Sequence, residues 1–101
     1  PVKAAVFPLL NKDGLPEKAR EIFDRLKIDY AVRYEEKDTI GKRYRRQDAI
    51  GTPICVTVDH DTLNDNQVTL RYRDTMKQER VAIENLGKII EEKVSLRKVL
   101  V

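Results

Sequence analysis

Val2-Lys3-Ala4-Ala5-Val6-Phe7, closed by Pro8, is the stretch on which the fold turns. It is almost unbroken in apolar residues, the pattern of a strand covered on both faces rather than one. Pro8 ends it, and Asn11-Lys12-Asp13-Gly14 has the composition of a loop. Pro16 suits the first turn of a helix, where its missing N–H costs nothing. Ala19, Ile22, Phe23 and Leu26 then follow at helical spacing, with Glu17, Arg20, Glu21 and Arg25 on the other faces. Tyr30-Ala31-Val32-Arg33-Tyr34 is rich in strand formers. Strand, helix and strand in so short a span predict a right-handed βαβ unit.

Beyond this unit, Asp38 or Thr39 can cap a second helix running to about Ile50, with Gly51 suited to its C′ position. Pro53 cannot continue it, and Ile54-Cys55-Val56-Thr57-Val58 has the pattern of a buried strand. Residues 59–66, rich in Asp and Asn, form a turn. Residues 67–73 alternate as an antiparallel return strand, and Asp74-Thr75-Met76-Lys77 turns into a short strand around residues 79–82. A closing helix over residues 84–94 carries Leu86, Ile89 and Ile90 on one side. The expectation is an α/β domain in three layers, a mixed five-stranded sheet flanked by three helices. It occupies residues 1–101 as a single domain, with residues 95–101 as a short tail.

Composition bounds the function. With 41% apolar and 37% charged residues in 101, the chain can bury one core. Twenty Lys and Arg against seventeen Asp and Glu leave +3, so the placement of charge matters more than its sum. The single cysteine, Cys55, allows no intramolecular disulfide. No apolar run approaches the ~20 residues of a membrane span, and the opening residues lack the apolar stretch of a signal peptide. A cytoplasmic location with no membrane partner is expected. A start at Pro1, directly before a strand, suggests a piece of a longer polypeptide.

Two rows of cations carry the chemistry. On the second helix, Ile40, Tyr44 and Ile50 fall toward the sheet, while Lys42, Arg45, Arg46 and Ala49 fall on the opposite side. Like charges in one stripe repel unless an anion lies along them, and a phosphodiester backbone fits that need. An ordinary solvated helix face is the alternative. On the return strand, Val68, Leu70 and Tyr72 alternate with Thr69, Arg71 and Arg73, so both arginines share one face. They can stack on bases and donate paired hydrogen bonds to base edges, or pair with Glu79 or Asp74 across the hairpin. Two such rows in one small domain favour RNA.

Other chemistries find less support. Asp59-His60-Asp61 hints at a metal, but the calcium-loop pattern fails at Leu63. His60 is the one histidine and has no nucleophile at a recognisable motif spacing. Cys55, between Ile54 and Val56, has the setting of an inert core thiol. Glu35, Glu36 and Asp38 fit surface charge better than an acid/base pair. The glycines are too scattered for a phosphate loop, so no catalytic residue is assigned.

Val6-Phe7-Pro8-Leu9, Lys12-Asp13-Gly14-Leu15, Ile40-Gly41-Lys42-Arg43-Tyr44-Arg45-Arg46-Gln47-Asp48, Ile50-Gly51-Thr52-Pro53, Val56-Thr57-Val58-Asp59 and Arg73-Asp74-Thr75-Met76-Lys77-Gln78 together resemble the C-terminal anticodon-binding domain of glycyl-tRNA synthetase, in its class II, homodimeric form. The resemblance covers residues 2–94. It implies a parent ligase that charges glycine tRNA using ATP and Mg²⁺ in a separate upstream catalytic domain. This domain would need no cofactor, would hold the anticodon stem-loop, and would be monomeric in isolation although the parent dimerises. Residue by residue it points to Lys42, Arg45, Arg46, Gln47, Arg71 and Arg73 as RNA contacts. Two positions depart from the usual pattern: Tyr72, where Asp is frequent, and Ala49, where Glu is frequent. Glycine anticodons share two adjacent cytosines, whose edges need an acceptor for N4 beside arginine donors. Asp74, next to Arg73, is the candidate acceptor.

Two rivals remain for comparison. A thioredoxin-like protein would fit the βαβ start and Thr52-Pro53 but needs a Cys-x-x-Cys pair that is absent. A non-catalytic accessory module that shares the anticodon-binding fold but binds protein would expose an apolar patch instead of arginine rows.

Overall fold

The computed structural model describes residues 1–100, with side chains as far as Lys93. The expected central strand is β1, Ala4–Pro8, and every one of its residues is buried. It lies between two parallel neighbours, β2 (Val32–Tyr34) and β3 (Ile54–Val58). Strands β4 (Gln67–Tyr72) and β5 (Gln78–Ala82) add antiparallel, giving the order β2-β1-β3-β4-β5. The sheet is mixed and five-stranded, as the pattern predicted.

The helices are α1 (Leu15–Leu26), α2 (Ile40–Ile50), a single turn α3 (Thr62–Asp65) and α4 (Leu86–Leu100), the last preceded by a 3₁₀ turn, Ile83–Asn85. The fourth helix, α3, lies where sequence reading expects only a turn. The Asp59 carboxylate accepts from Thr62 N and Oγ1, both at 3.1 Å, and holds that turn in place. Helix α4 runs through residue 100, so most of the expected tail is helical; residue 101 lies outside the described residues.

The chain steps from β1 outward to β2, then back across β1 to β3. Right-handed crossovers in opposite directions require the two helices to lie on opposite faces of the sheet. They do. Leu15, Ala19, Ile22 and Leu26 of α1 join Ala4, Val6, Ile54, Val56, Val68 and Leu70 in the main core, closed by Leu86 and Ile90 of α4. Helix α2 covers the other face, where Ile40 and Tyr44 pack on Ala5, Phe7 and Cys55. Burial pushes the Cys55 thiol up to about 12, consistent with a core residue that does no chemistry.

Helix α2 packs over β1 and β3 and reaches β4 at its flank, through Arg71. Between β4 and β5 the register places Arg71 opposite Gln78, and Thr69 opposite Arg80. Two polar rows meet the edge of a helix there.

Candidate nucleic-acid interface

Helix α2 starts cleanly. Thr39 is extended and its Oγ1 accepts from Lys42 N at 3.3 Å, satisfying one of the free donors of the first turn. Gly51 ends it at φ 83, a conformation that costs other residues a steric clash.

At about 100° per residue, Ile40, Arg43, Tyr44 and Gln47 make the inward stripe. Arg43 and Gln47 are each only 2% exposed, whereas Ile50, expected to pack on the sheet, is 55% exposed. The inward-facing row is therefore half polar. Arg43 donates through Nη1 to Pro8 O at 2.5 Å and through Nη2 to Asp38 O at 3.4 Å; its Nε has no partner among the described residues. Burial lowers its hold on the proton. Gln47, expected among the RNA contacts, is taken up inside the protein. Its amide nitrogen donates to Glu35 and its oxygen accepts from Thr52 Oγ1 at 2.6 Å. A helix face chosen by hydropathy alone misses both residues, because the acceptors that permit their burial come from distant segments.

The remaining positions sort by flank. Lys42, Arg45 and Ala49 stand on the outer side and are exposed. Arg46 lies on the flank facing the loop after β2. Its Nε donates to Glu35 Oε1 at 2.8 Å and its Nη1 to Asp38 Oδ2 at 3.1 Å, and these bonds strengthen its hold on the proton. The two acids read as surface charge thus have a structural task.

Asp48 lies on the opposite flank, facing β4, and organises the second arginine row. Its carboxylate accepts from both terminal nitrogens of Arg71, at 2.9 and 3.0 Å, in the paired geometry that suits a guanidinium. The Arg71 hydrogen bonds hold the Asp48 carboxyl below its usual range, and Arg71 is correspondingly harder to deprotonate. Arg71 also lies 4.8 Å over the Tyr44 ring and is just 8% exposed. Of the two alternative partners raised from sequence, Glu79 is not the one used. Glu79 is opposite Leu70, so its side chain leaves by the other face of the sheet.

Arg73 lies one residue beyond the end of β4 and is exposed. Its N–H donates to Pro53 O at 3.0 Å and its Nε to the Asp48 carbonyl at 2.9 Å, so it caps the carbonyl end of α2. Asp74 is exposed in the turn that follows. Tyr72 turns inward as the alternation predicted, packs against the main core and has Lys93 Nζ 4.8 Å from its ring centre.

Arg80 plays a part that sequence reading did not see. It donates to Asp59 Oδ2 at 2.8 Å and to Gln67 O at 3.0 Å, and pairs with Asp65, strapping α3 to β4. Its place on the same face as Thr69 was readable from alternation, but its acids lie in the turn between β3 and β4. Of Asp59-His60-Asp61, Asp59 serves this strap and His60 Nε2 is 2.9 Å from Asp13 Oδ2.

The geometry ties the β4 arginine row to α2 through Asp48. The inner flank of α2 and the end of β4 meet at Asp48, beside the start of β3. Gln47 and Arg71 are buried and Arg46 is exposed but bonded to Glu35 and Asp38, while Lys42, Arg45 and Arg73 are exposed.

The family model described as "Anticodon binding domain" matches residues 3–93. A glycine–tRNA ligase of Rhodopirellula baltica is 53% identical over 94 residues, 93% of this chain and 18% of that protein. Those of Borrelia hermsii and Clostridium acetobutylicum are 51% and 54% identical over 94 residues, 93% of this chain and 21% and 20% of theirs. The chain therefore spans about a fifth of the length of these relatives. A strand order that sends α1 and α2 to opposite faces, exposed cations beside the α2 terminus and a match over nearly the whole length lead to one conclusion: the chain belongs to the anticodon binding domain family.

Proposed function

We propose that this domain holds the anticodon stem-loop of glycine tRNA for a glycine–tRNA ligase. The observation that carries the reading is the Asp48 junction. It fixes the exposed Arg73 at the carbonyl end of α2, the helix whose outer stripe carries Lys42 and Arg45, and one RNA loop can span the two. Lys42 and Arg45 neutralise phosphates, which fix position without reading sequence. Arg73 uses one of its five donors on α2 and keeps four for a base edge. Asp74, next in sequence, supplies the acceptor that a cytosine amino group requires.

Arg46, Gln47 and Arg71, which the family resemblance also points to, act in this reading through internal bonds rather than as RNA contacts, Gln47 and Arg71 from buried positions and Arg46 from an exposed one. Arg46 and Gln47 hold the loop after β2 through Glu35, and Arg71 holds α2 against β4 through Asp48. Activation of glycine with ATP and Mg²⁺ belongs to a separate catalytic region of a cytoplasmic, dimeric parent. Among the described residues no three His, Cys, Asp or Glu side chains group to hold a metal ion.

The test is a titration of the chain against a glycine anticodon stem-loop and a loop with both cytosines replaced. Arg73→Ala should lose about 1–3 kcal/mol for the cognate loop and little for the altered one, the range of one good base contact. Lys42→Ala should weaken both by the same factor. Equal losses for Arg73→Ala on both loops would remove it as a base reader. A wild-type chain that binds the two alike, and no better than an unrelated hairpin, would refute the function.

A further inference from the structure

The turn between β4 and β5 contains a residue in an unexpected conformation. Among the described residues four non-glycine residues have positive φ: Asp13, Asp38, Asn66 and Met76, the last at 61°. Asp and Asn enter this region readily, since a short polar side chain can bond the local backbone. Methionine has no such compensation, and strain of this kind collects at functional positions.

Met76 is nonetheless firmly held. Its N–H donates to Tyr72 O at 2.8 Å, closing the turn, and its Sδ accepts from Arg71 Nη2 at 3.2 Å. Arg71 is itself fixed by the Asp48 carboxylate and the Tyr44 ring. Yet Met76 is 59% exposed. A thioether is thus anchored by its sulfur and offered to solvent instead of filling the core. Arg73 belongs to the same hydrogen-bonded cluster, through the Asp48 carbonyl.

We propose that Met76 is a stacking surface for one unpaired base of the bound RNA, with Arg71 as its positioning residue. The inference rests on the RNA-binding reading above and names a contact within it. A polarisable sulfur makes favourable contacts with aromatic rings, and every base offers a π face to the side chain that packs against it. Exposed Arg73 in the same cluster, with the cations exposed on α2, fits a nucleotide, which joins an apolar face to an anionic backbone. A purely apolar partner would leave those charges unanswered. Arg71 makes no contact with RNA in this scheme. It fixes the height and tilt of the thioether.

The experiment uses the full chain with a glycine anticodon stem-loop and three versions, each lacking one anticodon base. Met76→Asn keeps a residue comfortable at positive φ and removes the apolar surface; Met76→Leu keeps that surface. Met76→Asn should bind the intact loop about three- to tenfold more weakly, with a melting temperature unchanged or raised. One abasic loop, already weak for wild type, should be bound equally by wild type and Met76→Asn, and Met76→Leu should recover most of the loss. An unchanged affinity for Met76→Asn, or the same loss against all three abasic loops, would overturn the stacking role. Failure of wild type to prefer the glycine loop over an unrelated hairpin is a separate result. It refutes the RNA reading itself, and this contact with it.

Discussion

Arg43 shows how far one residue can depart from its usual place. A guanidinium stays charged at any ordinary pH, and here it is 2% exposed with two carbonyl acceptors and one unpartnered nitrogen. Its carbonyl partners explain the position. Pro8 O ends β1, and Asp38 O directly precedes the N-cap of α2, so Arg43 pins the start of the helix over the strand that it covers. Arg43→Ala removes a long packed stem and leaves the Pro8 carbonyl buried without its donor, and should cost about 3 kcal/mol. Arg43→Met keeps most of the stem without a buried charge, and should cost no more than about 1 kcal/mol. Urea unfolding measures both; an alanine variant within about 0.5 kcal/mol of wild type would deny the residue this role. No reading of the sequence assigned Arg43 a face, since a run of Lys and Arg looks like solvated charge. The acceptor that reverses that judgement lies 35 residues earlier in the chain.

Elements were more legible than residues. The order of strands and helices, the Gly51 stop, Pro16 in the first turn of α1 and the inward turn of Tyr72 follow from period and turn chemistry, which are local. The stripe on α2 was half legible. Lys42, Arg45 and Ala49 point outward as spacing predicts, but hydropathy put Ile50 inside and overlooked Gln47, whose burial depends on Glu35 and Thr52. The Asp48–Arg71 pair was illegible for the same reason, since its partners meet only through the sheet. That pair sets a pH dependence. With the folded carboxyl below the ordinary value near 3.9, the charged form of Asp48 favours the folded state. Its contribution is complete above about pH 4 and fades as pH falls through the lowered folded value. Asp48→Asn should therefore be about 2 kcal/mol less stable than wild type near pH 7, between the worth of exposed and fully buried pairs. The gap should narrow as pH falls below about 4 toward about pH 2, as the wild-type carboxylate takes up its proton. Thermal unfolding at both pH values checks this, and a gap constant with pH would mean that charge is not its source.

At the scale of the molecule, the small net charge conceals an uneven distribution. One face of the sheet is closed by α1 and α4 over the apolar core, whereas the other carries α2 and the arginines of β4. The cations on that side differ in what they can give to a polyanion. Arg46 and Arg71 already have carboxylates within hydrogen-bond distance, and Arg80 has Asp59 and Asp65. A cation paired inside the protein displaces few counterions from RNA, because its charge is already matched. Lys42 and Arg45 are exposed on the outer stripe, and Arg73 is reserved for a base. With two phosphates neutralised at ~0.7–0.9 each, log affinity should fall with log salt at a slope of about −1.6. That is a loss of about tenfold between ~50 and ~200 mM salt. Five cations acting together would give a slope near −4 and a loss above ~100-fold. Affinities for the stem-loop across that range decide between the two, and Lys42→Ala should lower the slope by about 1. The steeper result would require Arg46 and Arg71 to leave Glu35 and Asp48 on binding. In that case the two flanks of α2 would be released by RNA rather than built to receive it.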